Sequence, residues 1–362
     1  MLNLRNFFKD KRVLITGHTG FIGSWLSEWL VMLQAEVCGY SLDPPTVPNA
    51  FSALDISSKI EDNRGDVRDI KSLDSVITKF KPEIVFHLAA QPIVLESYSN
   101  PVETFETNVI GTVNVLNVLR KVDSLKVITV MTSDKVYRNN EWPYPYREND
   151  FIGGRDPYSA SKSCQDIAVN SFRESFFEQS EVGVSTVRAG NVIGGGDWGK
   201  HRIIPDIVQS ISSDQKMVIR NPNSVRPWQH VLEPIYGMLV LVSKMWENLK
   251  FSGDWNLGPL PEREISVSEL YRTFVRFWGK DIGYRLDGEP KFRESERLKL
   301  DISKARMELG WYPVLNIEES IEKTVEWYKQ FLANRKDISD VTDQQILEYM
   351  ELRNRYAEEP AR

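Results

Sequence analysis

Residues 11–33 constrain the fold of this chain more than any other stretch. A short apolar run, Lys11-Arg12-Val13-Leu14-Ile15-Thr16, leads into Gly17-His18-Thr19-Gly20-Phe21-Ile22-Gly23. An amphipathic helical pattern follows through Ser24, Trp25, Leu26, Trp29, Leu30 and Leu33. A strand, a glycine turn and a helix in that order lift a glycine pattern above coincidence. The first glycine permits a tight turn, the second lets backbone approach a pyrophosphate, and the third allows close helix-on-strand packing. The helix N-terminus then favours the anion. The spacing is G-x-x-G-x-x-G rather than G-x-G-x-x-G, and the reading is a dinucleotide site.

The rest of the first half repeats this alternation. A second strand over Glu36–Ser41 ends near Asp43, an acid placed to bond a ribose 2′-hydroxyl and to repel a 2′-phosphate; this favours NAD over NADP. Gly65-Asp66-Val67 closes a third strand-like segment, where Asp66 faces an adenine amino group or caps the next helix. Glu83 to Gln91 is a fourth strand, apolar enough to be covered on both faces, and its Ala89 and Ala90 leave room for a flat cofactor. His87 on this strand reads as a packed core histidine. Asn100 to Lys121 is a long helix, Lys126 to Met131 a fifth strand, and Val184 to Arg188 a sixth. Six strands alternating with helices predict an α/β, doubly wound parallel Rossmann sheet.

Chemistry concentrates between Val130 and Lys162. The fifth strand delivers Thr132-Ser133-Asp134-Lys135 to the carboxyl edge of the sheet, where such folds bind ligands. Asp156-Pro157-Tyr158-Ser159-Ala160-Ser161-Lys162 starts a helix with proline in its first turn, so Tyr158 and Lys162 share a face at i and i+4. A lysine ammonium there is expected to lower the tyrosine pKa and make the phenol a proton shuttle. The bland alternative for Asp134-Lys135 is a salt-bridged surface turn.

At 362 residues about two lobes are expected. The alternation becomes irregular after Gly190, which divides the chain into a dinucleotide-binding domain (1–190), a smaller mixed lobe (191–340, with some chain returning to the first domain) and a polar C-terminal tail (341–362). Gly194-Gly195-Gly196 reads as loop, and Arg202, Arg220 and Arg226 suggest a second phosphate-bearing ligand. Helices are expected over 266–278 and 316–333. A net charge of -6 argues against nucleic acid or an anionic membrane as partner. Two cysteines and four scattered histidines show no metal-ligand spacing, so no metal is expected. No apolar run of membrane-spanning length and no leader pattern is seen, and a reducing cytoplasm is the expected location.

Longer motifs carry a resemblance. Gly17–Phe21, His87-Leu88-Ala89-Ala90-Gln91-Pro92, Thr132–Lys135 and Asp156–Ser159 resemble the extended short-chain dehydrogenase/reductase superfamily and, within it, the CDP-glucose 4,6-dehydratase family. So do Arg188–Trp198 and Arg226–Pro234, which are long and specific. The resemblance implies NAD-dependent 4,6-dehydration of a nucleotide-linked hexose, for deoxysugar and surface-polysaccharide (O-antigen, lipopolysaccharide) synthesis, by a homodimer or higher oligomer. It implies catalytic roles for Ser133, Asp134, Lys135, Tyr158 and Lys162. Cofactor contacts are implied for Gly17, Thr19, Gly20, Phe21, Ile22, Gly23, Asp43, Asp66, Val67, Leu88, Ala89, Gln91, Thr107, Tyr158 and Lys162. Substrate contacts are implied for Asn191, Arg202, Arg226 and Glu294. Ile22, Leu95-Glu96 and Arg293 depart from the family pattern. A nucleotide-sugar 4-epimerase or 4-ketoreductase, or a catalytically silent NAD-binding protein, is the competing reading. Asp134-Lys135 separates them, since only elimination needs an acid and a base at C5 and C6.

Overall fold

A computed structural model describes residues 3–260, 265–286, 297–334 and 337–358. Strands β1 (Arg12–Thr16), β2 (Glu36–Ser41), β3 (Glu61–Arg64), β4 (Ile84–His87), β5 (Val127–Met131) and β6 (Gly183–Ala189) match the six expected from the sequence. Two short strands follow, β7 (Asn191–Ile193) and β8 (Met217–Ile219), then β9 (Trp228–His230), β10 (Gly253–Leu257) and β11 (Tyr284–Leu286). The main sheet is parallel, ordered β3-β2-β1-β4-β5-β6-β10, with Val13 opposite both Val37 and Ile84. Its seventh strand comes from beyond residue 190, with Gly253 paired to Ser185. Parallel strands buried on both faces read as continuous apolar runs, and β1, β4, β5 and β6 are almost wholly buried.

The strand order reverses direction between β1 and β4, and this switch point opens a crevice at the carboxyl ends of the strands. Two apolar layers cover the sheet. One is anchored by Trp25, Trp29, Trp255 and Trp327, the other by Leu73, Leu116, Ile128 and Phe177. The chain beyond residue 190 also forms two parallel two-stranded ribbons, β11-β8 and β7-β9. Its helices Val267–Trp278 and Ile317–Ala333 start at capping boxes on Ser266 and Asn316, as their sequences suggest.

The stretch expected as one helix over 100–121 runs Pro101–Phe105, Glu106–Ile110 and Gly111–Leu119, its middle segment widened to π geometry. The wide turn accommodates Asn108, which bridges to Ser161 Oγ (2.9 Å) and to the backbone of Gln91.

The C-terminal segment is not a loose tail. Ile338–Glu358 is a helix whose Ile338, Ile346 and Tyr349 are fully buried. Glu233 accepts from Tyr349 Oη and Arg353 Nη2, both at 2.7 Å, and from the Val314 and Leu315 amides. The polarity that suggests a solvated tail is spent in this buried network. No helix among the described residues is long and apolar enough to cross a membrane.

Candidate active site

The glycine turn has the geometry of a cradle. Gly17 has φ +80°, and a Cβ there would lie 2.6 Å from the Ala89 amide nitrogen. A Cβ on Gly23 would lie 2.2 Å from Gly17 O. Both positions exclude any side chain, and Gly20 caps the helix Phe21–Met32 without a side-chain hydrogen bond. Its first amides are thus left for an anion. Thr19 Oγ1 bonds Ser41 Oγ (2.8 Å) and Leu42 O (3.0 Å), tying the turn to the end of β2. These features fit a dinucleotide pyrophosphate.

Around it, Phe21, Ile22 and Leu88 line the central cleft, and Ala89 backs onto Gly17. Asp43 is almost fully exposed. The structure brings Arg64 from β3 to 3.8 Å from it, an arginine that reading forward from Asp43 misses. Arg64 is also held by Asp62 (2.8 Å). Asp66 does not cap the following helix; Asp69 does, accepting from the Lys71 and Ser72 amides. Asp66 instead grips Arg68 at 2.6 Å, while Val67 is buried. Gln91 uses its amide within the chain, on Thr104 Oγ1 and the Ile93 amide. Thr107 lies half-buried in the wide helical turn. His87 is a core residue, between Thr16 Oγ1 (2.6 Å) and Thr112 Oγ1 (2.8 Å), and burial pushes it down to about 3.

The cleft, about 380 Å³, gathers Ser133, Asp134, Lys135, Tyr158, Lys162, Asn191, Arg202 and Arg226. Asp156 caps the helix Pro157–Phe172 through the Ser159 amide (2.9 Å), with Pro157 in the first turn. Ser133 starts a short 3-10 turn, accepting from the Lys135 amide (3.2 Å) and donating to Asp134 Oδ1 (3.0 Å). Asp134 is 2% exposed, and its Oδ2 is buried with no hydrogen-bond partner. A salt-bridged surface turn therefore does not describe this pair. An unpartnered buried carboxyl oxygen, on a residue that lines the cleft, is a candidate to meet a bound ligand's hydroxyl. Asn191 Oδ1 is likewise buried and unpartnered. Arg202 is ion-paired to Asp197 (3.0 Å). Glu294 and Arg293 lie outside the described residues.

The expected effect of Lys162 on Tyr158 is corrected by the structure. Burial pushes the Tyr158 phenol up to about 12, against the Ser133 hydroxyl and Arg202 beside it. Burial pushes Lys162 down to about 7, and its Nζ sits 2.9 Å from Gln165 Oε1. A lysine readily losing its proton near neutrality brings little positive charge to the phenol. Burial is the leading cause for both groups.

A doubly wound sheet with a glycine cradle at its switch point, and serine, tyrosine and lysine facing one cleft, defines an enzyme of the extended short-chain dehydrogenase/reductase class. Comparison with known proteins agrees. Residues 14–324 match the family model described as GDP-mannose 4,6 dehydratase. The chain is 48% identical to the CDP-glucose 4,6-dehydratase of Salmonella typhimurium, over 96% of this chain and 98% of that protein. It is 30% identical to a putative UDP-glucose 4-epimerase of Methanocaldococcus jannaschii, over 88% and 98% of the two chains. The crystal structure of DesIV, a dTDP-glucose 4,6-dehydratase from Streptomyces venezuelae, with NAD and TYD bound, superposes with TM-score 0.77 at 22% identity. That match covers 88% of this chain and 97% of that one. The chain belongs to the GDP-mannose 4,6 dehydratase family.

Sequence reading missed Asp206, which lines the same cleft. Its signal was its place one helical turn beyond Arg202.

Proposed function

We propose that this protein dehydrates CDP-D-glucose to CDP-4-keto-6-deoxy-D-glucose with NAD as cofactor. The observation that carries the reading is the shared cleft: Tyr158, Ser133 and the Asp134-Lys135 pair all line it. The 48% identity to a CDP-glucose 4,6-dehydratase supports the substrate. The NAD-bound 4,6-dehydratase of the same fold supports the cofactor, as does the glycine cradle. NAD, when bound, supplies a hydride acceptor and donor.

The chain's own groups manage the protons. Once ionised to the phenolate in the substrate complex, the Tyr158 oxygen takes the proton of the sugar 4-hydroxyl, which Ser133 orients. With a carbonyl at C4 the C5 hydrogen becomes acidic, and Lys135 removes it. Asp134 gives a proton to the 6-hydroxyl, which leaves as water. Acid and base are neighbours on one turn, which suits an elimination across adjacent carbons. Asn191, Arg202 and Arg226 hold the nucleotide diphosphate. A 4-epimerase of this fold has no use for that acid-base pair.

Incubating the protein with a panel of nucleotide sugars and identifying the 4-keto-6-deoxy product tests the assignment. Lys135→Ala is expected to keep oxidation at C4 but lose water elimination by about 100- to 10,000-fold. Deuterium from solvent should no longer enter at C5. Unchanged dehydratase turnover in that variant would remove the basis for this reading.

We also propose a homodimer built on the helical stretches 101–119 and 157–177. Val102, Phe105, Ile110, Ile167 and Phe176 on them are exposed apolar side chains, which a two-fold helix bundle would cover. Light scattering at micromolar concentration should give twice the chain mass, and a monomer would refute it. A role in deoxysugar and surface-polysaccharide (O-antigen, lipopolysaccharide) synthesis follows from the product class. Two unpaired cysteines, Cys38 and Cys164, suit a reducing cytoplasm.

A further inference from the structure

The cleft continues past the catalytic residues. Beyond Arg202 it is walled by the first turn of the helix Ile203–Ser213, by β8 and by residues 220–226. Asp206 stands on that wall, its amide donating to Arg202 O at 3.1 Å. The side chain is half-buried and forms no hydrogen bond or ion pair among the described residues.

Tyr158, Arg202, Asp206 and Arg220 all line this one cleft. Asp197 holds the Arg202 guanidinium at 3.0 Å, and Asp206 sits one helical turn beyond Arg202 on the same wall. A nucleotide sugar with its hexose at Tyr158 and its diphosphate at Arg202 would carry its base onward toward Asp206 and Arg220. A carboxylate repels a diphosphate, so the group it meets must be a neutral hydrogen-bond donor.

We propose that Asp206 is a specificity-determining residue, its carboxylate accepting a hydrogen bond from the exocyclic amine of cytosine. This rests on the nucleotide-sugar reading above and deepens it. Cytosine presents a 4-amino donor where uracil and thymine present a carbonyl, whose lone pairs would face the carboxylate. Arg220 on the facing segment brings donors that suit the ring-nitrogen and carbonyl acceptors of cytosine. Burial pushes the Asp206 carboxyl up to about 6, with Arg220 opposing, so at pH 8 it is an ionised acceptor. A site built to pair a specific polar group rejects the analogue that cannot pair it, because its own group is then left desolvated and unmet.

The test is calorimetric titration of CDP, UDP, dTDP and GDP into the full-length protein at pH 8. The wild type should bind CDP about 10- to 100-fold more tightly than UDP or dTDP. Asp206→Asn, whose amide can donate as well as accept, should bring CDP and UDP within about threefold of each other by weakening the first and strengthening the second. Asp206→Ala should also lose the preference, and thermal melts of both variants should match the wild type because this turn is half-exposed. An unchanged CDP-to-UDP ratio in either folded variant, or a wild type that prefers UDP, dTDP or GDP, would overturn the proposal. Free nucleotides separate the base from the chemistry. A protein that prefers CDP through Asp206 but dehydrates no CDP-glucose refutes the proposed reaction alone. One that dehydrates CDP-glucose with its preference intact in Asp206→Asn refutes the role of Asp206 alone.

Discussion

Replacing Tyr158 by phenylalanine is expected to lower turnover of the nucleotide sugar by about 100- to 10,000-fold, with little change in KM or melting temperature. The substitution removes one oxygen from a ring that stays in place. Tyr158 is 8% exposed and held at its backbone, where its amide donates to Ser97 Oγ at 3.1 Å. The substrate contacts proposed above lie elsewhere in the cleft, on Asn191, Arg202 and Arg226. What disappears is the atom proposed to accept the hydroxyl proton. In the ligand-free protein burial holds this phenol near 12, so it is protonated at neutral pH and must be brought lower once substrate is seated. Serine and arginine beside it act in that direction. Steady-state kinetics on the purified variant would decide the matter, and turnover within threefold of wild type would exclude the phenol as the proton acceptor.

Arg188→Met is expected to destabilise the fold by about 3–5 kcal/mol, because it strands buried carboxylates. Arg188 is 1% exposed and binds Asp166 through two contacts, Nε to Oδ2 at 2.9 Å and Nη2 to Oδ1 at 2.7 Å. It also reaches Asp254 (3.0 Å), Tyr137 Oη (3.0 Å) and Glu148 O (2.8 Å). Asp166 is fully buried, so methionine in place of the guanidinium leaves its charge without compensation. The melting temperature should fall by roughly 4–7 °C. Lysine should not rescue it, since an ammonium lacks the planar fork that meets both carboxylate oxygens. Activity should suffer with stability, because Asp166 Oδ2 also accepts from Thr132 Oγ1 (3.2 Å), the residue before Ser133. A melting temperature within two degrees of wild type would show that this pair does not hold β6 to the catalytic helix.

Much of the site was readable in the linear chain, and the reasons are local. Gly17 and Gly23 announce themselves because no side chain fits there. Pro157 and Asp156 mark the start of the catalytic helix through first-turn chemistry that involves only neighbours in sequence. Errors arose where a property depends on distant segments. The phenol and ammonium of Tyr158 and Lys162 were paired by spacing alone, yet their protonation follows from the layers packed over them. The 3.8 Å approach of Arg64 to Asp43 is likewise absent from any local pattern, because Arg64 arrives from the next strand. Residues 338–358 looked solvated because Glu233, which draws Arg353 and Tyr349 inward, lies more than a hundred positions away.

The sequence by itself determined the parallel α/β architecture, the glycine cradle and the placing of Ser133, Asp134 and Lys135 at a strand's end. Periodicity, turn residues and helix-start signals act over a few residues, and they agreed with one another. Only the tertiary structure decided that β10 completes the sheet, that the last helix is docked, and that Asp206 shares a cleft with Tyr158. It also decided the protonation of the buried groups. Desolvation and long-range pairing sum over elements remote in the chain, and no local pattern carries that sum.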